Sequence, residues 1–369
     1  MRTFYRPIVQ LIFLFGLLTV SSLHAQNGFE TTLVDAASVL AGPGHTYERL
    51  GILNMDTAVI ITERNRVGHW LRIEADDLDG WVRIGNVDTT NLLLSDIPVN
   101  MDLPDADVSA ITDEREVRLY SVPIIPEISP AMGEIYGSIF NNNATDVVVK
   151  VGDSNSANST YLTPISENNY TLEPYDMLTN SVDHFAENMG TNEIAARVGL
   201  NGFSLFDTFW SPIDTCEQDE TPLMCEYRVS RPTIAVIMFG PNDLRVLNST
   251  EYTEQMTLII EETLAQGVIP ILSTFSSDPD EDTWDQALRF NTILVDLAEA
   301  FEIPLVNLWS AAQALPNAGI GEDNVHMTIS GGSLDLSQGH ESRLGVPLQN
   351  LIVLNTIDAI YEAIIADSG

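Results

Sequence analysis

Three short stretches of this chain carry side chains whose types and spacing suit catalysis. Ser154 stands in a Gly-Asp-Ser triplet, Asn242 in a Gly-Pro-Asn-Asp stretch, and Asp323 three residues before His326. A serine in a sharp strand-to-helix turn is a nucleophile position, and an asparagine amide is a suitable donor to an oxyanion. An aspartate at this spacing can orient an imidazole, which then deprotonates a serine. The three stretches together indicate nucleophilic attack on an acyl group.

Each stretch also has a purely structural explanation when it is taken alone. Asp153 or Ser154 can cap a helix, Asn242 can form an Asx turn, and His326 can be a loop histidine with an incidental acid nearby. The Gly-x-Ser-x-Gly elbow of lipases is absent around Ser154. The catalytic interpretation therefore depends on where the chain places all three stretches.

Four continuous apolar runs predict the framework that positions these residues. The runs at 146–151, 233–239, 268–274 and 303–308 read as buried parallel strands. Apolar residues at helical spacing predict helices over 252–265, 284–300 and 348–365. Alternating strands and helices favour an α/β fold, a three-layer, doubly wound parallel sheet of the flavodoxin-like kind. Ligands bind at the carboxyl ends of such strands, where Ser154 and Asn242 lie.

The N-terminal third of the chain has a different pattern. Short β-branched and aromatic stretches, punctuated by Gly, Asn and Asp, predict a small all-β barrel over 27–92. Residues 93–116, which contain Pro98 and Pro104, predict a linker, and 117–369 form the α/β domain. Trp70 and Trp81 either line a ligand groove of the barrel or fill its core.

The first 25 residues and the two cysteines indicate export. Arg2 and Arg6 precede an apolar run over 8–20, and Ser21-Ser22-Leu23-His24-Ala25 follows. This order predicts a secretory signal peptide over 1–25. An uncleaved anchor is the alternative. In an oxidising compartment Cys216 and Cys225 are expected to form a disulfide, whereas metal ligation and redox catalysis fit their surroundings and spacing poorly. We therefore expect a secreted or extracytoplasmic protein with no transmembrane segment after signal cleavage.

The charge excludes some partners. The chain has 53 acidic residues and 16 Lys and Arg residues among 369, a formal net charge of −37. A nucleic-acid binder needs a basic surface, which a chain of this charge does not offer. An anionic membrane surface also repels a protein with this negative charge. The acids form no defensible ligand cluster, so the sequence predicts neither a metal nor another cofactor. A glycosidase interpretation has no support, because carboxylate pairs arise by chance at this acid content.

The order of the catalytic stretches resembles the SGNH (GDSL-type) hydrolase family over roughly 117–369. That family has a Gly-Asp-Ser block, a later glycine, a Gly-x-Asn-Asp block and an Asp-x-x-His block, all found here in that order. About 60 residues before them resemble the bacterial Src-homology-3-like domain. Members of that second family often bind cell-wall peptide or glycan, and others are only spacers.

The first resemblance implies a role for each matching residue. Ser154 is the nucleophile, His326 the base and Asp323 its orienting acid. The backbone N–H of Ser154, that of Gly202 and the amide of Asn242 form the oxyanion hole. Two alternatives stay open: Gly199 competes with Gly202, and His340 competes with His326 but lacks an aspartate three residues before it.

The activity implied is cleavage of carboxylic esters through an acyl-enzyme, without a cofactor. An acylated glycan, a lipid or a small-molecule ester is the expected substrate, and the β domain favours a glycan or cell-wall contact. Apolar residues after Gly202 either line an acyl pocket or belong to the core: Phe203, Leu205, Phe206, Phe209 and Trp210. Two other functions remain: an O-acyltransferase with the same triad, and a secreted binding protein whose hydrolase scaffold is inactive.

Overall fold

The computed structural model of the protein describes residues 28–75, 77–139, 143–191 and 194–366. The predicted signal peptide lies outside these residues. Their strands form two larger sheets, one antiparallel and one parallel, and a small two-stranded sheet. We call the N-terminal part, up to residue 92, the β unit and the part from Glu114 onward the α/β unit.

The β unit is a six-stranded antiparallel sheet. Its strands are β1 (Phe29–Thr32), β2 (Ala37–Leu40), β3 (Arg49–Leu53), β4 (Ala58–Arg64), β5 (Trp70–Ala75) and β6 (Leu78–Arg83). They are ordered β1-β4-β5-β6-β2-β3. Along β4 exposed and buried residues alternate at first, as expected of a strand with one face on a core. The antiparallel sheet agrees with an all-β unit, and the likeness to a Src-homology-3-like barrel stays a prediction.

The α/β unit is built on a parallel sheet, as predicted. Its strands are β7 (Val148–Gly152), β9 (Ile234–Met238), β10 (Ile269–Ser273) and β11 (Leu305–Val306), in the order β11-β10-β9-β7. Every residue of β7, β9 and β10 is buried, so both faces of the sheet are covered. Met189 and Ala196 form isolated parallel bridges to Val148 and Gly152 of β7. The chain after Ala196 leads into the predicted oxyanion glycines.

Nine α-helices lie in the described part of the α/β unit, besides several short 3-10 turns. They are α1 (Glu114–Tyr120), α2 (Pro130–Ile139), α3 (Thr163–Ser166), α4 (Thr179–Phe185), α5 (Pro222–Ser230), α6 (Ser249–Ala265), α7 (Trp284–Phe301), α8 (Leu308–Ala312) and α9 (Gly345–Ile360). Helices α1 and α6 pack against α7, and α4 and α8 pack against α9. The small parallel sheet pairs β8 (Tyr170–Thr171) with β12 (Leu334–Asp335).

Two of the helix boundaries have clear local causes. Asn248 caps α6, and its capping box with Glu251 starts the helix three residues before the predicted start. Asp113 caps α1, which therefore begins inside the segment predicted as linker. The helical stretch Gly345–Ile365 is long and apolar enough to span a membrane, but 67% of its most apolar window is buried inside the protein. This burial is typical of a core helix.

The β unit contacts the α/β unit directly. Arg83 donates to the carbonyl of Ser342, and the hydroxyl of Ser342 accepts the N–H of Gly85 at 3.2 Å. Just after the β unit, the N–H of Leu94 donates to the carbonyl of Pro174 at 3.0 Å. Residues that follow His326 in sequence are therefore held against the N-terminal sheet.

Lys150, the only lysine of the chain, lies in the middle of β7 and is fully buried. Its Nζ donates to the carbonyl of Tyr161 at 3.2 Å and to the Thr163 hydroxyl at 3.0 Å. A buried ammonium is tolerated only when it is hydrogen-bonded in this way. Lys150 thereby fixes the chain that leaves the nucleophile turn.

Candidate active site

Ser154, His326 and Asp323 form one continuous hydrogen-bonded chain. The Nε2 atom of His326 lies 2.8 Å from the Ser154 hydroxyl, and its Nδ1 lies 2.6 Å from Oδ2 of Asp323. The histidine side chain is 47% exposed and the aspartate side chain 55%, so the chain of groups opens to solvent. A serine bonded to one ring nitrogen and a carboxylate to the other is the arrangement in which imidazole acts as a general base.

The nucleophile turn depends on the absence of a side chain at Gly152. A Cβ there would lie 2.4 Å from the carbonyl of Met238 on β9 and 2.2 Å from the Ser156 hydroxyl. β7 therefore ends against β9, and the chain turns sharply into Ser154. Next to the serine, Asp153 is fully buried and accepts the N–H of Asn155 at 2.9 Å. Burial raises the pKa of Asp153 to about 6, although hydrogen bonds from the backbone N–H groups of Asn155 and Asn242 oppose the shift.

The loop that carries the histidine is shaped by Asp323. Its Oδ1 accepts the N–H groups of Val325 and His326 at 3.1 and 2.9 Å, while Oδ2 holds the imidazole. Asn324 between them has φ of +58°, a conformation that asparagine tolerates well. Hydrogen bonds from the His326 side chain and backbone lower the pKa of Asp323 to about 2. The carboxylate is thus ionised at neutral pH and stabilises an imidazolium.

Asn155 joins the nucleophile turn to the histidine loop. Its amide donates to the carbonyl of Val325 at 3.2 Å, and its Oδ1 accepts the N–H of Met327 at 3.1 Å. Both bonds flank His326, and Asn155 is only 3% exposed. Sequence analysis missed this residue, because the partners lie 170 and 172 positions away and no local pattern reports them.

Two of the three predicted oxyanion donors are open to a ligand. The backbone N–H of Ser154 makes no hydrogen bond within the part of the chain that the structure describes. Asn242 donates one amide proton to the carbonyl of Leu200 at 2.8 Å, which fixes the amide and leaves its second proton for a ligand. Both groups lie at the carboxyl end of the sheet, where the chain order predicts them.

Gly202, the third predicted donor, already has an acceptor. Its N–H donates to Oδ1 of Asp243 at 2.9 Å. In this structure an oxyanion would therefore have to share that N–H with the Asp243 carboxyl group. Asp243 is fully buried, and burial raises its pKa to about 7, with the charge of Asp153 adding to the shift. Gly240 permits this turn, because a Cβ there would lie 2.0 Å from the ring of Phe275.

The two alternative residues are placed differently. Gly199 has φ of +88° and packs against the ring of Trp210, and no hydrogen bond ties it to Asp243. His340 lies in the short turn His340–Ser342, whose Ser342 contacts the β unit. The histidine bonded to Ser154 is His326. The geometry therefore favours His326 as the base.

Cys216 and Cys225 are bonded to each other, with an S–S distance of 2.03 Å. Together with Glu220 they form the one group of three metal-ligating side chains in the described ranges. Because both sulfurs are used in the disulfide, neither is a thiolate for a metal. The bond joins a loop at 211–221 to helix α5.

The aromatic residues have mixed placements. After Gly202, Leu205 is buried, whereas Phe203 and Phe209 are exposed, so this segment is neither wholly core nor a closed acyl pocket. In the β unit both Trp70 and Trp81 are only 4% exposed, as core residues are. Trp70 also lines a cavity of about 380 Å³ between the two units.

The sheet and the turn after β7 define an α/β protein in which Ser154, His326 and Asp323 form one hydrogen-bonded chain. No family model matches the sequence, and no curated protein matches it. Solved structures similar to this chain include a lipase/acylhydrolase from Enterococcus faecalis, 17% identical, covering 58% of this chain and 96% of that one, with a TM-score of 0.38.

Two further similar structures are a lipase and an esterase by their descriptions. A GDSL-like lipase from Bacteroides thetaiotaomicron is 16% identical, covers 63% of this chain and 98% of that one, and has a TM-score of 0.35. An acetylxylan esterase from Geobacillus stearothermophilus is 14% identical, covers 58% and 95%, and has a TM-score of 0.40. At these scores the likeness carries no argument about activity, which rests on the geometry of the site.

Proposed function

We propose that the protein is a serine esterase of the SGNH type that hydrolyses carboxylic esters. The observation that carries this proposal is the hydrogen-bonded chain in which His326 bridges Ser154 and Asp323. Binding alone gives no reason to align a hydroxyl, an imidazole and a carboxylate in this order. The same three groups argue against an inactive hydrolase scaffold.

The reaction follows from the positions of the groups. His326 Nε2 takes the proton of Ser154 as the serine oxygen bonds to the ester carbonyl carbon, and the resulting oxyanion accepts hydrogen bonds from Ser154 N–H and Asn242. The carbon–oxygen bond to the alcohol breaks, and the alcohol leaves with the proton held on Nε2. Water then attacks the acyl-enzyme, gives a proton to His326, and the acid leaves as serine regains its hydrogen.

Export is part of the proposal. The predicted signal peptide and the Cys216–Cys225 bond support an oxidising, extracytoplasmic location. The β unit, with its resemblance to the Src-homology-3-like domain, is proposed to contact glycan or cell wall.

The test is hydrolysis of p-nitrophenyl acetate, butyrate and octanoate by the exported protein, beside Ser154→Ala. We expect turnover by the wild type and a loss of at least about a thousandfold in the variant. Equal rates in the two proteins would remove Ser154 as the nucleophile. If neither protein releases p-nitrophenol from any of these esters, the esterase proposal fails for simple acyl esters.

A further inference from the structure

A cavity of about 380 Å³ lies between the β unit and the α/β unit. The β unit contributes residues between 43 and 47 and between 65 and 70 to its lining. The segment between the units contributes residues between 101 and 106, and the α/β unit contributes residues between 120 and 127 and between 310 and 314. Among the described residues, no member of the triad or of the proposed oxyanion hole lines it. A cavity of this size at the boundary of two units is typical of a small-molecule site.

Hydrogen bonds hold the walls of this cavity together. The Tyr47 hydroxyl donates to the carbonyl of Pro104 at 2.5 Å, and the Arg66 guanidinium donates to the carbonyl of Pro126 at 3.2 Å. Each bond connects the β unit with a different part of the chain. The cavity is therefore formed before a ligand arrives, which lowers the cost of ordering the site on binding.

The protonation state of one histidine in the wall follows from its neighbours. Asn65 accepts the N–H groups of Gly68 and Trp70 with its Oδ1, at 3.0 and 3.1 Å. Its Nδ2 is therefore the atom that lies 3.3 Å from Nδ1 of His69. Since an amide nitrogen only donates, Nδ1 is the acceptor, and the proton of the neutral imidazole lies on Nε2. Burial, together with the charge of Arg83, lowers the pKa of His69 to about 3, so the ring is neutral at physiological pH.

The Nε2–H group of His69 is an unused donor. It has no hydrogen-bond acceptor in the part of the chain that the structure describes, although the residue is only 7% exposed. The atom is also not one of the fully enclosed, unpaired polar atoms of the described residues. It therefore borders the open space that His69 lines, which is the cavity. A donor in this position needs an acceptor atom from a ligand.

The rest of the lining determines which kind of molecule fits. Apolar and aromatic side chains make up most of it, among them Tyr47, Trp70 and Tyr120. Aromatic side chains favour flat rings as partners, through offset stacking and edge-to-face contacts. The polar groups are few, and the Asn65 amide and the Tyr47 hydroxyl already have partners. A sugar, which buries several hydroxyl groups, would therefore leave some of them without hydrogen bonds.

The charge of the lining favours a neutral ligand. Among the described residues that line the cavity, Arg66 is the one cationic side chain and Glu127 the one anionic side chain, so their charges cancel. The two histidines of the lining, His45 and His69, stay neutral at neutral pH because burial lowers both pKa values. An ion would enter this apolar space without a net opposite charge to compensate its lost hydration.

We propose that this cavity binds a small, uncharged aromatic molecule that carries a carbonyl or another acceptor oxygen. The ring packs among the aromatic side chains, and the oxygen accepts the Nε2–H of His69. Because both units and the segment between them line the cavity, the bound molecule contacts all three and stabilises the folded protein. The site shares no residue with the candidate active site, so the proposal does not depend on the esterase function.

The test uses 1-tetralone, a neutral two-ring ketone, and tetralin, which has the same ring frame without the oxygen. Their dissociation constants are measured with the full chain by ligand-observed NMR. His69→Leu removes the donor, whereas the amide of His69→Gln can still accept from Asn65 and donate to the ketone. Ala106→Trp fills the cavity, and Ala110→Trp is the matched control, because it adds the same side chain to the same segment at an exposed position outside the lining.

We expect wild type to bind 1-tetralone with a Kd of about 1 mM or below, as a ligand of this size allows. Ala106→Trp should weaken both ligands at least about tenfold, and Ala110→Trp should stay within about twofold of wild type. His69→Leu should weaken 1-tetralone about fivefold and leave tetralin within about twofold, since only the ketone uses the donor. His69→Gln should recover most of the loss. The melting temperature of wild type should rise with 1-tetralone.

Several results would overturn the proposal. They are an absence of saturable 1-tetralone binding by wild type, equal losses in Ala106→Trp and Ala110→Trp, and equal losses of the two ligands in a folded His69→Leu protein. Tighter binding of 1-naphthoate or of methyl N-acetyl-β-glucosaminide than of 1-tetralone would also overturn it, in favour of an anion or a sugar. Competitive inhibition of p-nitrophenyl acetate hydrolysis by 1-tetralone would place the ketone at Ser154 instead. Loss of the esterase proposal has a different signature, since it leaves the NMR result intact.

Discussion

Asp243 accepts the backbone N–H of Gly202 at 2.9 Å, across 41 positions of sequence. A buried carboxyl group thus fixes the loop that carries Gly202, beside the asparagine proposed for the oxyanion hole. Because burial raises the pKa of Asp243 to about 7, the group changes charge near neutral pH.

The raised pKa of Asp243 makes the free energy of unfolding fall as pH rises. An unfolded aspartate ionises near pH 3.8, whereas folded Asp243 keeps its proton to about pH 7, so the folded state binds more protons in between. Between pH 5 and 7 the group removes about 2 kcal/mol from the free energy of unfolding. We expect Asp243→Asn, whose side-chain oxygen still accepts from Gly202, to lose this part of the pH dependence. Urea unfolding at both pH values measures it, and identical slopes in the two proteins would contradict it.

Asp323→Asn should lower kcat by about 10⁴-fold, because an amide neither holds the required tautomer of His326 nor stabilises the imidazolium. KM should change little, since Asp323 lies behind the imidazole as seen from Ser154. Steady-state kinetics on p-nitrophenyl butyrate measures both. His340→Asn is the control and should retain wild-type kcat. A large loss of kcat in that variant would indicate that His340 takes part in the reaction.

Asn242→Ala should lower kcat by about 10² to 10³-fold through the loss of one oxyanion donor. The same amide also holds the carbonyl of Leu200, so circular dichroism and thermal unfolding must accompany the kinetics. A fall in kcat with an unchanged melting temperature assigns the effect to the transition state. Unchanged kcat would mean that the backbone N–H of Ser154 and other donors stabilise the oxyanion without Asn242.

Replacing both cysteines, as Cys216→Ser/Cys225→Ser, should reduce the free energy of unfolding by about 2 to 3 kcal/mol, the chain-entropy value for so short a loop. The rate on dissolved p-nitrophenyl acetate should persist, because no triad residue lies in that loop. Chemical unfolding with and without a reductant measures the effect in wild type; a reductant that changes nothing would show that the bond adds no stability.

The framework was predictable where local sequence determines structure. Strands β7, β9 and β10 are buried on both faces, so they appear as continuous apolar runs within two residues of their observed ends. Strand β11 has only two residues instead of the predicted six, because Asn307 leaves the strand and caps α8. The hydrophobic pattern of the sequence does not show whether Asn307 extends the strand or caps the next helix.

Of the candidate site, sequence predicted the groups that do chemistry but not those that hold them. Ser154 and His326 are recognisable by residue type and by their neighbours. The roles of Asn155 and Asp243 depend on partners 41 to 172 positions away, which only the folded chain brings together. The hydrogen bond from the Gly202 N–H to Asp243 likewise depends on tertiary structure, so the sequence did not predict it.

The burial of Lys150 has a practical consequence for handling this protein. Since the chain has no other lysine, an amine-reactive dye or biotin ester meets only the N-terminal amine while the fold is intact. Attachment to a surface is then uniform in orientation, and a second label appears only when β7 becomes accessible. The fraction of molecules that carry the second label therefore reports how many have opened at the centre of the sheet.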